Sequence, residues 1–200
     1  MEGPTFPAAV GMWLLMTGLM MTPVVLPWLR TLRHLNAGVA PGPTPAVAPF
    51  ALGYAVAWGL FSVGAAWIQV RIAGWGWSTP LLTSTPMVAG AALILIGGYQ
   101  FTRLKASCLT HCRSPAGYLL DHWRKGPTGA FRMGLGHGLF CLGCCWTLML
   151  VGLVVGAMNL AWMGLLAAIM IVETTGPFGA RITRPVGALL VMGGLAALLP

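Results

Sequence analysis

One histidine and three cysteines share the short stretch GHGLFCLGCCWTLML, which begins at residue 136. Residues three or four apart lie on the same face of a helix. If this stretch is helical, one stripe therefore carries His137, Cys141, Cys144 and Cys145, and Met149 continues it. At 1.5 Å per residue, the distance from the histidine to the last cysteine is roughly 12 Å. Thiolates, thioethers and imidazoles are ligands for soft metals, so the stretch predicts a metal site.

A second set of the same residue types lies upstream in the segment ASCLTHC. If the preceding helix continues through it, Cys108, His111 and Cys112 share one face. Two ligands four residues apart, about 6 Å at Cβ, can share a metal, whereas a third ligand on the same stripe is a turn too far away. A closed site therefore needs two segments. We expect Cys108 and Cys112 to close a site with His137 and Cys141, and Cys144 and Cys145 to lie deeper, as a second site or transfer point.

The chain offers almost no ligands for hard cations. It has three acidic residues, Glu2, Asp121 and Glu173, and this scarcity of carboxylates disfavours a site for Mg²⁺, Ca²⁺ or Mn²⁺. Zinc in a closed Cys₃His or Cys₂His₂ site is chemically sound, and iron is a further alternative. We predict copper, as Cu(I), because the first apolar stretch adds thioethers to the thiols.

Those thioethers recur every four residues in GMWLLMTGLMM. The spacing puts Met12, Met16 and Met20 on one helical face, and with Met149 they predict a relay for a soft monovalent ion. A flexible, methionine-filled packing face is the alternative interpretation.

The composition predicts an integral membrane protein. Of 200 residues, 58% are hydrophobic and 7% charged, whereas soluble domains carry about a quarter charged residues. We expect a single all-α domain, a polytopic transmembrane helix bundle surrounded by the lipid bilayer. The net charge of +8 comes from basic residues in short segments between apolar stretches. Membrane orientation and anionic lipid explain that charge, and nucleic-acid binding is excluded as a function.

About six spans are predicted, each roughly 20 residues long. They cover residues 8–29, 47–70, 82–102, 134–155, 158–174 and 185–200, with a metal-site loop at 103–133. The start MEGPTFP lacks a basic region, so the first stretch is expected to be a membrane helix and not a cleaved signal. Ten of the eleven Lys and Arg residues lie in odd-numbered loops, and Arg71 alone lies opposite. The positive-inside rule then predicts both termini outside and the 103–133 loop in the bacterial cytoplasm, with the chain in the inner membrane.

Several of these stretches resemble one bacterial family. They are GYQFTRLKASCLTHCRSP, RMGLGHGLFCLGCCWTLML, GAMNLAWM and the Met-rich LMMTPVVLP. They look like a family of predicted metal-binding integral membrane proteins, a domain of unknown function, from the first helix to about Glu173. The resemblance implies a polytopic bundle and metal binding at seven positions, namely Cys108, His111, Cys112, His137, Cys141, Cys144 and Cys145.

The predicted function is to load, deliver or pass a soft metal at the cytoplasmic membrane, with a metallochaperone or other membrane subunits as partners. The sequence has no phosphate-binding loop and no paired intramembrane carboxylates, which disfavours nucleotide hydrolysis and proton-coupled pumping. Binding is therefore favoured over catalysis. One alternative is a quinone-linked thiol–disulfide oxidoreductase, although the cysteines are predicted on the reducing side. Another is an accessory subunit that holds a structural metal or haem iron in a larger complex.

Overall fold

The described part of the chain is helical and contains no strand. The computed structural model describes residues 5–37, 46–76, 81–156 and 159–199. Long apolar runs form helices here because a helix satisfies its backbone hydrogen bonds internally. In these ranges the helices are α1 (Phe6–Ala37), α2 (Val47–Gly74), α3 (Leu81–Ser84), α4 (Pro86–Tyr99), α5 (Arg103–Cys112), α6 (Pro115–Asp121), α7 (Gly126–Val155), α8 (Leu160–Thr175) and α9 (Gly179–Leu198).

Four of the described helices, α1, α2, α7 and α9, are long and apolar enough to cross a membrane. The number is five if α4 and α5 together make one bent span. The predicted number of about six spans is not confirmed, since α8 has only 16 residues where a span needs about 20. The predicted boundaries also differ at α7, which begins at Gly126 and not at 134, and at α9, which begins at Gly179 and not at 185.

Helix α1 also exceeds its predicted range of 8–29, although it contains Pro23 and Pro27. A proline inside a helix removes a backbone hydrogen bond and favours a kink. Tertiary packing compensates for this loss, because Trp28 and Leu32 beyond the prolines are buried in the core. The helix therefore continues past the point where local sequence predicts its end.

The predicted third span, 82–102 with a continuation through Cys112, is broken in two places. Pro86 starts α4, which ends at Tyr99 after 14 residues. Thr102 then caps a new helix, since its hydroxyl accepts a hydrogen bond of 3.3 Å from the backbone N–H of Lys105. The axes of α4 and α5 differ by 62°. The predicted loop at 103–133 thus contains α5, α6 and the start of α7.

Close helix contacts place α7 at the centre of the bundle. A Cβ atom on Gly134 would overlap the carbonyl group of Phe50, and a Cβ atom on Gly53 would overlap that of Phe131. Small residues at such positions let helix backbones approach closely, and here they join α2 to α7. In the most apolar window of α7, 61% of the residues are buried, against 22% for α9. Side chains on α7 therefore face protein on most sides.

Candidate metal centre

Three thiols from two helices converge in the interior. The sulfur atoms of Cys112, Cys141 and Cys144 all lie within 4.8 Å of one another, and all three side chains are buried. Two sulfurs bound to one metal at about 2.3 Å are at most roughly 4.6 Å apart. In the described part of the chain, this is the group of His, Cys, Asp or Glu residues with the geometry to hold a metal ion. Its size fits a three-sulfur site.

Cys144 contacts thiols on both helices. Its Sγ lies 3.1 Å from the carbonyl oxygen of Cys141, 3.3 Å from Cys145 Sγ and 3.5 Å from Cys112 Sγ. Cys145 is fully buried next to the group of three but is not a member of it. All five cysteines are free thiols. The cluster therefore offers up to four sulfur atoms in one dry region.

Tyr54 on α2 contacts this cluster. Its hydroxyl group lies 3.3 Å from Cys141 Sγ, within hydrogen-bonding distance, and its side chain is buried. The spacing of the cysteines and histidines does not point to this residue. The available signal was a tyrosine in the middle of an apolar helix, because a buried phenol hydroxyl usually has a hydrogen-bond partner inside the protein.

His137 lies among aromatic rings one helical turn from Cys141. Its ring stacks on Trp28 with the centroids 3.5 Å apart, and Tyr54 stacks at 5.3 Å. Its Nε2 atom is buried and has no hydrogen-bond partner in the described part of the chain. The Trp28 indole N–H donates to the carbonyl oxygen of Cys112 at 3.3 Å. The same tryptophan thus contacts the histidine and fixes the end of α5.

The other two predicted ligands lie elsewhere. A Cβ atom on Gly143 would come 2.7 Å from Cys108 Sγ, so this thiol packs against the α7 backbone. His111 stacks on Phe140 with the centroids 4.4 Å apart, and its Nδ1 lies 2.9 Å from the carbonyl oxygen of Ser107. The structure therefore does not bring together the expected set of Cys108, Cys112, His137 and Cys141. It groups Cys112 with Cys141 and Cys144.

Helix α6 covers the same end of α7. The hydroxyl group of Tyr118 donates to the carbonyl oxygen of Met133 at 3.3 Å, and its ring meets Trp28 edge to face at 5.5 Å. Burial raises the pKa of the Tyr118 phenol, so it remains a neutral donor. The segment predicted as a metal-site loop therefore packs onto the aromatic residues around His137.

Family comparison identifies the class of protein. Residues 10–197 match the PpoB2 family, which is described as a copper chaperone. The chain belongs to this copper chaperone family. No curated protein and no solved structure matches it. The family match indicates copper handling, a function that the sequence resemblance did not supply. The buried thiols could bind the metal.

Four methionines line a separate small cavity next to the cluster. Met16 and Met20 come from α1, Met149 from α7 and Met163 from α8. Met12, the first member of the predicted relay, is only partly buried and does not line this cavity. Met163 was missed because it belongs to another helix, and only tertiary packing brings it to the other three.

Proposed function

We propose that the protein is a multi-pass copper chaperone of the bacterial cytoplasmic membrane that holds Cu(I) as its cargo. It binds the ion through Cys112, Cys141 and Cys144 and passes it to a metallochaperone or another membrane subunit. The observation that carries this proposal is the convergence of three buried sulfur atoms within 4.8 Å in a member of a copper chaperone family.

The donor set supports Cu(I) over the alternatives. Thiolate ligands select Cu(I), zinc or iron–sulfur centres. A closed zinc site takes four ligands, whereas three sulfur atoms lie within 4.8 Å of one another and Cys145 lies outside that group. Three sulfur ligands around one ion suit Cu(I), which prefers soft donor atoms. Burial of the site keeps water and oxidants away from the ion.

The outer surface of the bundle supports a membrane location. Large apolar side chains point outward on several helices, including Leu15 on α1, Leu60 on α2 and Leu95 on α4, with 67%, 70% and 75% exposure. A soluble monomer rarely exposes so much contiguous apolar surface. Lipid is the surroundings that such helices match, and the bias of Lys and Arg favours the orientation with both termini outside.

Cu(I) binding can be tested by single thiol replacements. Wild type and the Cys112→Ser, Cys141→Ser and Cys144→Ser variants would be purified anaerobically and titrated with Cu(I) against a competing chelator. We expect each variant to lose the tightly bound ion. Cys108→Ser is the matched control, since Cys108 is buried on the same face of α5, one turn from Cys112, and should retain the ion.

The outcomes separate the candidate ligand sets and functions. If Cys108→Ser loses as much Cu(I) as Cys112→Ser, the ligands are those expected from the sequence and not the group of three. If all four variants bind Cu(I) like wild type, the proposal is wrong. In the protein as purified, thiols that hold Cu(I) should become reactive when a chelator removes the ion, without any reductant. In a thiol–disulfide oxidoreductase, the oxidised cysteines would become reactive only after a reductant is added.

A further inference from the structure

We propose that Met16, Met20, Met149 and Met163 form a second Cu(I) site, made only of thioethers. This inference rests on the proposed function, because it assumes that Cu(I) is the cargo. The four residues line one cavity between α1, α7 and α8, whose volume of about 10 Å³ has room for a single small occupant. Three of them are almost fully buried, with exposures of 1% to 4%.

The chemistry of the cavity is uniform. Its other lining residues, Gly152, Gly156, Trp162 and Leu166, bring no carboxylate, imidazole or thiol. Thioether sulfur is the ligand type that this wall presents, and it favours Cu(I) among biological metals. Methionine also fills irregular gaps in cores, so an experiment must separate the sulfur atoms from their volume.

The cavity lies in line with the cysteine cluster. Met149 follows Cys145 by four residues, a rise of roughly 6 Å along α7. Helix α1 runs antiparallel beside it, since Trp28 stacks on His137 at 3.5 Å and Met16 shares the cavity with Met149. Twelve residues, or roughly 18 Å, separate these two levels on both helices. The thioethers are therefore on the side of the cysteine cluster that faces away from α6.

The two sites differ in charge and protonation. A thiol loses its proton when it binds Cu(I), so metal binding to the cysteine cluster competes with protons. A thioether carries no proton to lose, so binding at the methionine cavity is independent of pH. Neutral ligands also bind more weakly than thiolates. The pair thus provides a tight site next to a weak one, which is suited to hand the ion onward.

The test uses a parent variant in which Cys112, Cys141, Cys144 and Cys145 are all serine, so that the cluster keeps no thiol. Under anaerobic conditions, Cu(I) would be presented with a chelator of moderate affinity between about pH 5.5 and 7.5. We expect this parent to retain one weakly bound Cu(I) whose affinity does not change with pH. Binding to wild type should weaken as the pH falls, about tenfold per pH unit for each proton that the metal displaces.

Methionine replacements then locate the residual ion. Adding Met16→Leu, Met149→Leu and Met163→Leu to the parent should abolish its binding, since leucine keeps the volume but has no sulfur. The control adds Met87→Leu and Met192→Leu, two exposed methionines on α4 and α9, and should retain the ion. X-ray absorption of the loaded parent should show sulfur neighbours only.

Each outcome decides the inference. It is overturned if the parent binds no Cu(I), or if the leucine variants bind as the parent does. In that case tight binding by wild type would still support the cysteine cluster. The leucine replacements in a wild-type background should leave the tight, pH-dependent ion in place. Failure of wild type itself to bind Cu(I) would instead refute the proposed function.

Discussion

Lys105 Nζ lies 2.8 Å from Glu173 Oε2, and both side chains are fully buried. This ion pair joins α5 to α8, and Lys105 shares the buried face of α5 with Cys108 and Cys112. A second contact reinforces the connection, because Arg113 donates to the backbone carbonyl oxygen of Glu173 at 2.8 Å. The helix that brings Cys112 to the cluster is therefore tied to α8 as well as packed against α7.

Breaking this pair on one side should destabilise the protein strongly. Lys105→Met or Glu173→Gln leaves the other charge buried without a partner, which costs about 3–5 kcal/mol. The double replacement should cost much less than the sum, because no charge is left unpaired. The free energy of unfolding in mixed detergent micelles measures both. Lys125→Met, at an exposed position, is the control and should stay within about 0.5 kcal/mol.

Glycine replacements should test the contact between α2 and α7. Gly134→Ala places a methyl group on the carbonyl group of Phe50 and should destabilise the fold by about 1–3 kcal/mol, because the helices must separate. Gly59→Ala on α2, where a Cβ atom meets nothing within 4 Å, should be neutral or slightly stabilising. Equal effects in thermal unfolding would contradict the close contact.

Removal of the Tyr54 hydroxyl group should weaken Cu(I) binding while the fold is retained. Tyr54→Phe keeps the ring stacked on His137 but removes the hydrogen-bonding group 3.3 Å from Cys141 Sγ. A hydrogen bond to a charged group contributes about 1.5–3 kcal/mol, so affinity should fall roughly tenfold or more. Tyr99→Phe is the control, since the Tyr99 hydroxyl donates to the carbonyl oxygen of Gly143 and not to a sulfur atom. A chelator competition titration compares the two.

The orientation in the membrane can be read from reporter thiols. In a variant without the five native cysteines, Lys125→Cys should react with an impermeant maleimide only from the cytoplasmic side. Arg71→Cys, near the end of α2, should react from the outer side. The positive-inside rule predicts this pattern from the distribution of basic residues. The reverse pattern would invert the orientation and leave the metal centre unchanged.

The stripe on α7 is the feature that sequence predicts best. The spacing of His137, Cys141, Cys144 and Cys145 follows the helical period, and all four side chains of this stripe are buried in the structure. Local periodicity suffices here because one helix carries all four residues. The all-α class of the fold is predictable in the same way, since a long apolar run that forms a helix satisfies its own backbone hydrogen bonds.

The partners of that stripe depend on tertiary packing and could not be read from local patterns. The bend near Thr102 follows an apolar run without a proline, so the sequence favours a continuous helix up to Cys112. The place where α5 meets α7 depends on Gly143, whose missing side chain leaves room for Cys108 Sγ. Tyr54 and Met163 join their sites from separate helices for the same reason. The buried position of Lys105 depends on Glu173, which lies 68 residues away along the chain.

After the bend between α4 and α5, Cys112 ends a separate helix that lies against α7. An ion held by Cys112 and Cys141 is therefore also a cross-link between α5 and α7. It would bridge two helices and close the intervening segment, which contains α6, into a loop. An ion that stays on both thiols as the chain unfolds closes a loop of about 30 residues and lowers the entropy of the unfolded chain by an amount worth roughly 3 to 4 kcal/mol. An ion that binds the folded state alone stabilises it instead by mass action, more strongly as the concentration of free ion rises. Cargo release would then loosen the end of α5, so the loaded and empty proteins would differ in rigidity at the very helix that a recipient must approach.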